Sequence, residues 1–129
     1  MEFEVKVPIL GFDDLKKVRL EKIDDLFMKL LNVESDYPSF MLVNPYALRP
    51  YEFNLPAAAK VLLSVEKDSQ LLILNTMILQ EPIENSTINF IAPLIFNFSN
   101  HLMGQVVLDS TRYPDFGLTD PISVYLNNE

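Results

Sequence analysis

Residues 2–7 read EFEVKV, a segment in which charged and apolar side chains alternate strictly. Successive side chains of a β-strand point to opposite faces, so this pattern predicts a strand with one buried face and one solvated face. Pro8 ends the strand, since proline has no N–H to donate to a neighbouring strand. The same two-residue period recurs along much of the chain and favours a β fold.

The segments after Pro8 continue the pattern. A turn at residues 11–14, GFDD, leads to KVRLE at 17–21, which alternates again before a reversal at residues 23–25. Residues 27–33 and 40–43 are more continuously apolar and are separated by the turn-forming residues 35–38. These features predict a meander whose last two strands are buried on both sides.

One stretch departs from the two-residue period. Asn54 is placed to cap a helix with Pro56 in its first turn, followed by the apolar residues 57–63. Ala58 and Leu62 are four residues apart and would share a helix face. The sequence therefore predicts one short helical insert near residues 55–64.

Short runs rich in Ile, Val, Phe and Thr fill the second half of the chain. The predicted strands are 71–79, 87–92, 94–98 and 105–108, with a turn at 99–101. Their length and spacing are typical of a sandwich or barrel. We expect an all-β, mainly antiparallel fold, a compact β-barrel-like single domain over residues 1–129. The tail from residue 109 is expected to pack as an extended segment, and residues 127–129 to fray.

Composition narrows the classes of function. Ten Lys and Arg against 18 Asp and Glu give a net charge of −8, which disfavours direct binding to nucleic acid. The first residues lack the basic start and apolar run of a signal peptide, and no uncharged apolar stretch reaches the length of a bilayer span without Pro or Asn. We expect a cytoplasmic monomer that does not bind membranes.

The residues that usually carry catalysis are scarce. The chain has no Cys and one His, so thiolate chemistry is absent and a metal site would depend on carboxylates. The acidic pairs at 13–14 and 24–25 are best explained as turn residues, and His101 as an exposed turn residue. No phosphate-binding glycine loop or dinucleotide motif is present. We expect no enzymatic activity, no catalytic residues, no cofactor and no metal.

Charge is unevenly distributed. No Lys or Arg occurs from Asp68 to Thr111, and residues 85–108 contain no formally charged side chain. The outward-facing candidates in this uncharged stretch are neutral: Thr87, Asn89, Asn97, Ser99 and Gln105. Depletion of charge beside aromatic residues is typical of an interface core, but it is also expected where the fold covers both faces of a strand. Both interpretations stay open on the residues alone.

Five ordered segments resemble those of a known family. They are PILGFD at 8–13, FMLVNP at 40–45, YEFNL at 51–55, TINFIAPLIFN at 87–97 and GQVVL at 104–108. In this order they resemble the flagellar assembly factor family FliW, and the likeness covers nearly the whole chain. Arg49-Pro50 departs from the family pattern, in which an acidic residue is common before the Tyr-Glu-Phe segment.

The resemblance implies a compact, largely antiparallel β-barrel-like domain without enzymatic activity that switches between two partners. Members of the family bind flagellin in the cytoplasm. When flagellin is exported, the freed factor binds CsrA, a small dimeric RNA-binding repressor of flagellin translation, and relieves the repression. From the residues alone, a small-ligand-binding β-barrel with an internal cavity remains the alternative.

The candidate partner contacts lie mostly in the uncharged stretch. They are Asn44, Pro45, Glu84, Asn89, Phe90, Pro93 and Asn97. The Asn-Pro and Ala-Pro pairs have an equally good structural explanation, because proline ends strand pairing and an asparagine side chain can satisfy a local backbone donor. An amphipathic flagellin segment is expected to fold against this patch, so that lysine at position 89 or 90 would abolish flagellin binding without changing thermal unfolding.

Overall fold

Nine strands and two short α-helices make up the computed structural model, which describes residues 1–126. The strands are β1 (Glu2–Val7), β2 (Lys17–Lys22), β3 (Phe27–Asn32), β4 (Ser39–Val43), β5 (Leu71–Ile78), β6 (Thr87–Ile88), β7 (Leu94–Asn97), β8 (Leu102–Gln105) and β9 (Asp120–Pro121). The helices are α1 (Ala57–Leu62) and α2 (Ser123–Leu126), and 3₁₀ turns cover Pro45–Ala47 and Ile83–Asn85. The predicted helical insert near residues 55–64 is confirmed.

Seven of these strands close into a barrel. The meander of β1 to β4 is antiparallel, β4 pairs with β5, and β7 lies between β5 and β8. The ring closes where β8 runs parallel to β1, with Val5 opposite Met103 and Val7 opposite Gly104. Strands β6 and β9 are not part of the ring: β6 pairs with the end of β5, and β9 pairs with β6. The expectation of a mainly antiparallel, barrel-like all-β fold is confirmed.

Apolar side chains from all seven strands fill the barrel interior. In β1, Phe3 is buried while Glu2 and Glu4 are in solvent, as the two-residue period predicts. The Phe3 ring meets Phe96 of β7 edge-on, with centroids 5.1 Å apart. Burying a side chain of this size stabilises the fold by about 1.5–3 kcal/mol.

A second apolar layer covers the outside of β5 and β7. This outer layer consists of residues 51–63, 86–92 and 106–122, and its buried members include Tyr51, Leu63 and Ile122. Within β7, Leu94 and Phe96 belong to the barrel core and Ile95 packs against the outer layer, so the strand is buried on both faces. The chain's own outer layer therefore explains much of the uncharged stretch.

Several strand predictions need correction. The predicted strand 87–92 ends at residue 88, because the N–H of Phe90 donates to the carbonyl of Gly117 at 2.8 Å and the Asn89 side chain accepts a hydrogen bond from the N–H of Ala92 at 3.1 Å. The predicted strand 105–108 lies instead at 102–105. Strand β3 is not buried on both sides, since Lys29 is exposed, whereas Leu42 and Val43 on opposite faces of β4 are both buried as predicted. Full burial on both faces belongs to β7.

The predicted cap of the helical insert is also wrong. Pro56 occupies the cap position of α1 and no side chain bonds the first turn. Asn54 lies two residues earlier, where its backbone N–H donates to the Tyr113 hydroxyl at 2.9 Å. The tail packs as predicted, with Ile122 fully buried, although its described part finishes with α2 rather than with an extended segment. The expected fraying of residues 127–129 falls outside the described residues.

Gly104→Ala tests the closure of the barrel. A Cβ at position 104 would lie 2.6 Å from the Cβ of Val7, closer than side chains pack, so β1 and β8 must separate. We expect a loss of about 1–3 kcal/mol in the free energy of unfolding, measured by urea denaturation. The control is Val107→Ala, at a side chain that is 58% exposed. A wild-type unfolding midpoint for Gly104→Ala would show that β1 and β8 are not in close contact.

Candidate interaction surface

The structure buries four of the seven residues predicted from sequence as partner contacts. The buried residues are Pro45, Phe90, Pro93 and Asn97; Asn44 and Asn89 are half-buried, and Glu84 is exposed. A fully enclosed side chain cannot touch a partner in this conformation. The expectation that Phe90 tolerates lysine without unfolding is therefore wrong, since its ring is 0% exposed.

Two neutral amides of the uncharged stretch, Asn97 and Gln105, are internal. Asn97 is fully buried and donates from Nδ2 to the carbonyl of Leu63 at 3.0 Å. Gln105 accepts from the N–H of Leu10 at 2.8 Å and donates to the carbonyl of Ala92 at 3.2 Å. An uncharged amide can be buried when it forms hydrogen bonds. Asn97 thus connects β7 to Leu63, and Gln105 connects β8 to Leu10 and Ala92. The prediction that Asn97 and Gln105 face outward is wrong.

The structural explanation of Asn44 and Pro45 agrees with their contacts. The Asn44 Oδ1 accepts a hydrogen bond from the N–H of Tyr46 at 3.1 Å and so caps the 3₁₀ turn Pro45–Ala47. Proline suits the first position of such a turn, where its missing N–H is not needed. This pair therefore sets the direction in which the chain leaves β4.

A buried polar network connects two of the segments that carry the family resemblance, 51–55 and 87–97, with β5. The Tyr51 hydroxyl donates to the carbonyl of Phe90 and accepts from Asn75 Nδ2 at 3.1 Å. Asn75 Nδ2 also donates to the carbonyl of Asn89 at 2.8 Å. Burial raises the pKa of Tyr51 above its ordinary value. The network holds the outer layer against β5, which carries Asn75.

Arg49 covers this network from outside. Its guanidinium lies 5.3 Å from the ring centroid of Phe90 and 5.0 Å from that of Phe116. It also donates to the carbonyl of Asp115 at 3.1 Å and to the hydroxyl of Tyr125 at 3.4 Å. Arg49 thus connects the segment after β4 to the C-terminal part of the chain. The sequence showed only that this residue departs from the family pattern.

Two surfaces remain accessible beside the outer layer. The first, which we call the aromatic depression, is an open hollow of about 530 Å³. It is lined by Tyr46, Tyr51, Glu52, Phe53, Asn54, Ile73 and Tyr113. Tyr46, which directly follows the Asn-Pro pair, and residues 51–54 of the Tyr-Glu-Phe segment contribute to it, although none of these residues was predicted as a contact.

The second surface, which we call the Ile83 corner, is formed by the end of β5, the following turn and α2. Its exposed apolar residues are Ile78, Leu79, Ile83, Val124 and Leu126. Helix α2 packs beside the Ile83–Asn85 turn. Glu81 and Glu84 are exposed here, and within residues 1–126 neither has a cation within 4 Å. The corner therefore presents apolar side chains beside unpaired negative charge.

The acidic pairs and the histidine occupy turns, as predicted. Asp24 accepts hydrogen bonds from the N–H groups of Leu26 and Phe27 at 2.9 and 2.7 Å. His101 is exposed, has a φ of 60° and lies at the turn between β7 and β8. In the described part of the chain, no three His, Asp or Glu residues gather as a metal site would need. None of the helices in residues 1–126 is long and apolar enough to cross a bilayer.

The fold and these surfaces define a small β-barrel protein with a filled interior and accessible apolar surface outside it. Apolar side chains of all seven strands pack together in the barrel centre, which disfavours the small-ligand alternative. The class that fits best is a small β-barrel whose surfaces for binding other molecules lie on the outside of the barrel.

Comparison with known proteins identifies the family. The model of the FliW protein family matches residues 2–116. The Wolinella succinogenes protein named flagellar assembly factor FliW 2 is 59% identical over 129 residues, which is 100% of this chain and 95% of that protein. A Sulfurimonas denitrificans flagellar assembly factor FliW is 48% identical over 127 residues, 98% of each. This chain belongs to the FliW family.

A solved structure supports the fold. The crystal structure of a flagellar assembly factor FliW superposes with a TM-score of 0.84 and 22% sequence identity, covering 94% of this chain and 84% of that one. The barrel with its outer layer is therefore shared with an experimentally determined structure at low sequence identity.

Tyr51→Phe tests the buried network. The change removes the donor to the Phe90 carbonyl and an acceptor for Asn75, so we expect a loss of about 1–3 kcal/mol in the free energy of unfolding at pH 8. The raised pKa means that the folded chain keeps the Tyr51 proton at pH values where the unfolded chain loses it. Wild-type stability therefore falls as the pH rises above about 10, and Tyr51→Phe removes that part of the decrease.

The control for this measurement is Tyr37→Phe, at a side chain that is 71% exposed. Urea unfolding between pH 8 and 11 measures both the loss of stability at pH 8 and the decrease of stability with rising pH. Equal effects of the two substitutions at every pH would contradict a structural role for the Tyr51 hydroxyl.

Proposed function

We propose that this chain is a flagellar assembly factor that works in the cytoplasm without catalysing a reaction. It binds flagellin and, when flagellin is scarce, binds and antagonises a CsrA-type repressor of translation. The observation that carries the proposal is 59% identity over the whole chain to a protein named as a flagellar assembly factor. The family model over residues 2–116 supports the same assignment.

The regulation follows from mass action. Flagellin that accumulates before export occupies the factor, so less free factor is left to hold the repressor off its message. Export removes flagellin and raises the concentration of free factor. The switch needs only that binding of one partner lowers the affinity for the other, and it needs no catalytic group.

Charge supports an RNA-binding regulator as a partner. The chain has a formal charge of −8, whereas a protein that binds RNA carries basic surface to neutralise phosphates. Opposite net charges raise the association rate by steering the two molecules together, and salt weakens the effect. The acidic character of the chain is thus suited to this partner and unsuited to RNA itself.

The Ile83 corner is the surface proposed for flagellin. Exposed Ile83 and Leu79 suit the apolar face of an amphipathic segment, and Glu81 and Glu84 suit basic residues at its edge. A segment that folds on binding can cover such a patch, although the ordering reduces its affinity. Glu84 and Asn89 are kept as proposed contacts. The exposed residues of the Ile83 corner replace four buried residues as proposed contacts: Pro45, Phe90, Pro93 and Asn97.

Ile83→Asp and Glu84→Lys test this surface. One substitution places charge among apolar side chains and the other reverses a charge, and both residues are exposed, so the thermal unfolding curve should not change. We expect each variant to bind purified flagellin at least about tenfold more weakly, measured by calorimetry. The matched control is Val61→Asp, at a side chain on α1 that is 77% exposed and lies away from the corner.

The measurements test the proposed contact surface and the proposed function independently. Wild-type flagellin affinity in both corner variants would overturn the corner as the contact surface while leaving the function intact. A wild-type chain that binds neither flagellin nor the repressor would overturn the function itself.

A further inference from the structure

The aromatic depression has the composition of a receptor for a positively charged side chain. Tyr51 lies at its base, with the ring centroid of Tyr46 at 6.0 Å and that of Phe53 at 5.5 Å. The planes of these rings are inclined by 69° and 65° to that of Tyr51, which is itself buried, so exposed Tyr46 and half-buried Phe53 supply the accessible rings of the hollow. The negative face of an aromatic ring attracts a cation within about 6 Å.

Glu52 adds a negative charge to this hollow. Its carboxylate is exposed, and in the described part of the chain no Lys or Arg lies within 4 Å of it. Its charge contributes, after burial, to raising the pKa of the Tyr46 hydroxyl, so the two groups are in electrostatic contact. An unpaired carboxylate among aromatic walls favours a cation over a neutral or anionic ligand.

The outer layer already uses the same chemistry within the chain. Arg49 lies over Phe90 and Phe116, and the guanidinium of Arg112 lies 5.8 Å from the ring centroid of Tyr113. Arg49 is held by its hydrogen bonds to Asp115 and Tyr125 and is not among the residues that line the hollow. A contact between a guanidinium and an aromatic ring therefore already exists beside the hollow, at Tyr113. In the described part of the chain, no Lys or Arg lies within 4 Å of the Glu52 carboxylate.

We propose that the aromatic depression binds an arginine or lysine side chain presented by a partner polypeptide. The net charge of −8 favours a basic segment as the partner. The hollow is open to solvent, so a side chain can enter it while its backbone stays outside, where the exposed side-chain amide of Asn54 can bond a main-chain group. The site is separate from the Ile83 corner and does not depend on the flagellin assignment.

The test is an NMR titration of the ¹⁵N-labelled chain with the peptide acetyl-Gly-Ser-Arg-Ser-Gly-amide. We expect saturable shifts of the amides of residues 46, 52–54 and 113. Replacing the arginine with citrulline, which keeps the shape and removes the charge, should weaken binding by about fivefold or more, and so should Glu52→Gln. The matched control Glu66→Gln, at another exposed carboxylate outside the hollow, should bind the arginine peptide as the wild type does.

Three results would overturn the proposal. Equal affinity for the citrulline peptide, or for the Glu52→Gln variant, would show that charge is not recognised. Shifts confined to other parts of the chain would place the peptide elsewhere. Methylguanidinium alone binding as tightly as the arginine peptide would show that the hollow takes a small cation and not a polypeptide.

Discussion

The Tyr51 hydroxyl joins the two apolar layers of this molecule. Aromatic packing alone would tolerate sliding of the outer layer over the barrel, because apolar contact is not directional. The bonds of Tyr51 to the Phe90 carbonyl and to Asn75 are directional and buried, so sliding of the outer layer would break them. The positions of the aromatic depression and of the neighbouring rings depend on this arrangement.

The alternation of charged and apolar side chains was enough to predict the first strands of the barrel. It could not predict the outer layer that covers β5 and β7. Strands β1 and β2 alternate because one face meets the barrel core and the other meets water, which residues 2–7 show directly. The burial of Phe90 and Asn97 depends on residues 51–63 and 106–122, which are distant in sequence. One signal was present: the apolar residues 94–96 lack alternation, which favours a strand buried on both faces.

The candidate site shows the same limit. Neutral amides beside aromatic residues occur in interface cores and in interiors, and only tertiary contacts distinguish the two. Gln105 and Asn97 proved to be internal because each bonds a backbone group of another segment. Exposed Glu84 and Glu52 keep the acidic, accessible character that the composition predicts for the binding surface, although Glu52 was identified only once its neighbouring rings were placed.

The account depends on the uncharged strands being internal and on partners binding outside them. Hydrogen–deuterium exchange of the free chain and of its complex with flagellin tests this most directly. We expect residues 94–97 and 102–105 to exchange slowly in both states, while the amides near residues 79–86 become protected only in the complex. Rapid exchange at 94–97 and 102–105 in the free chain, with protection appearing there on binding, would contradict the account.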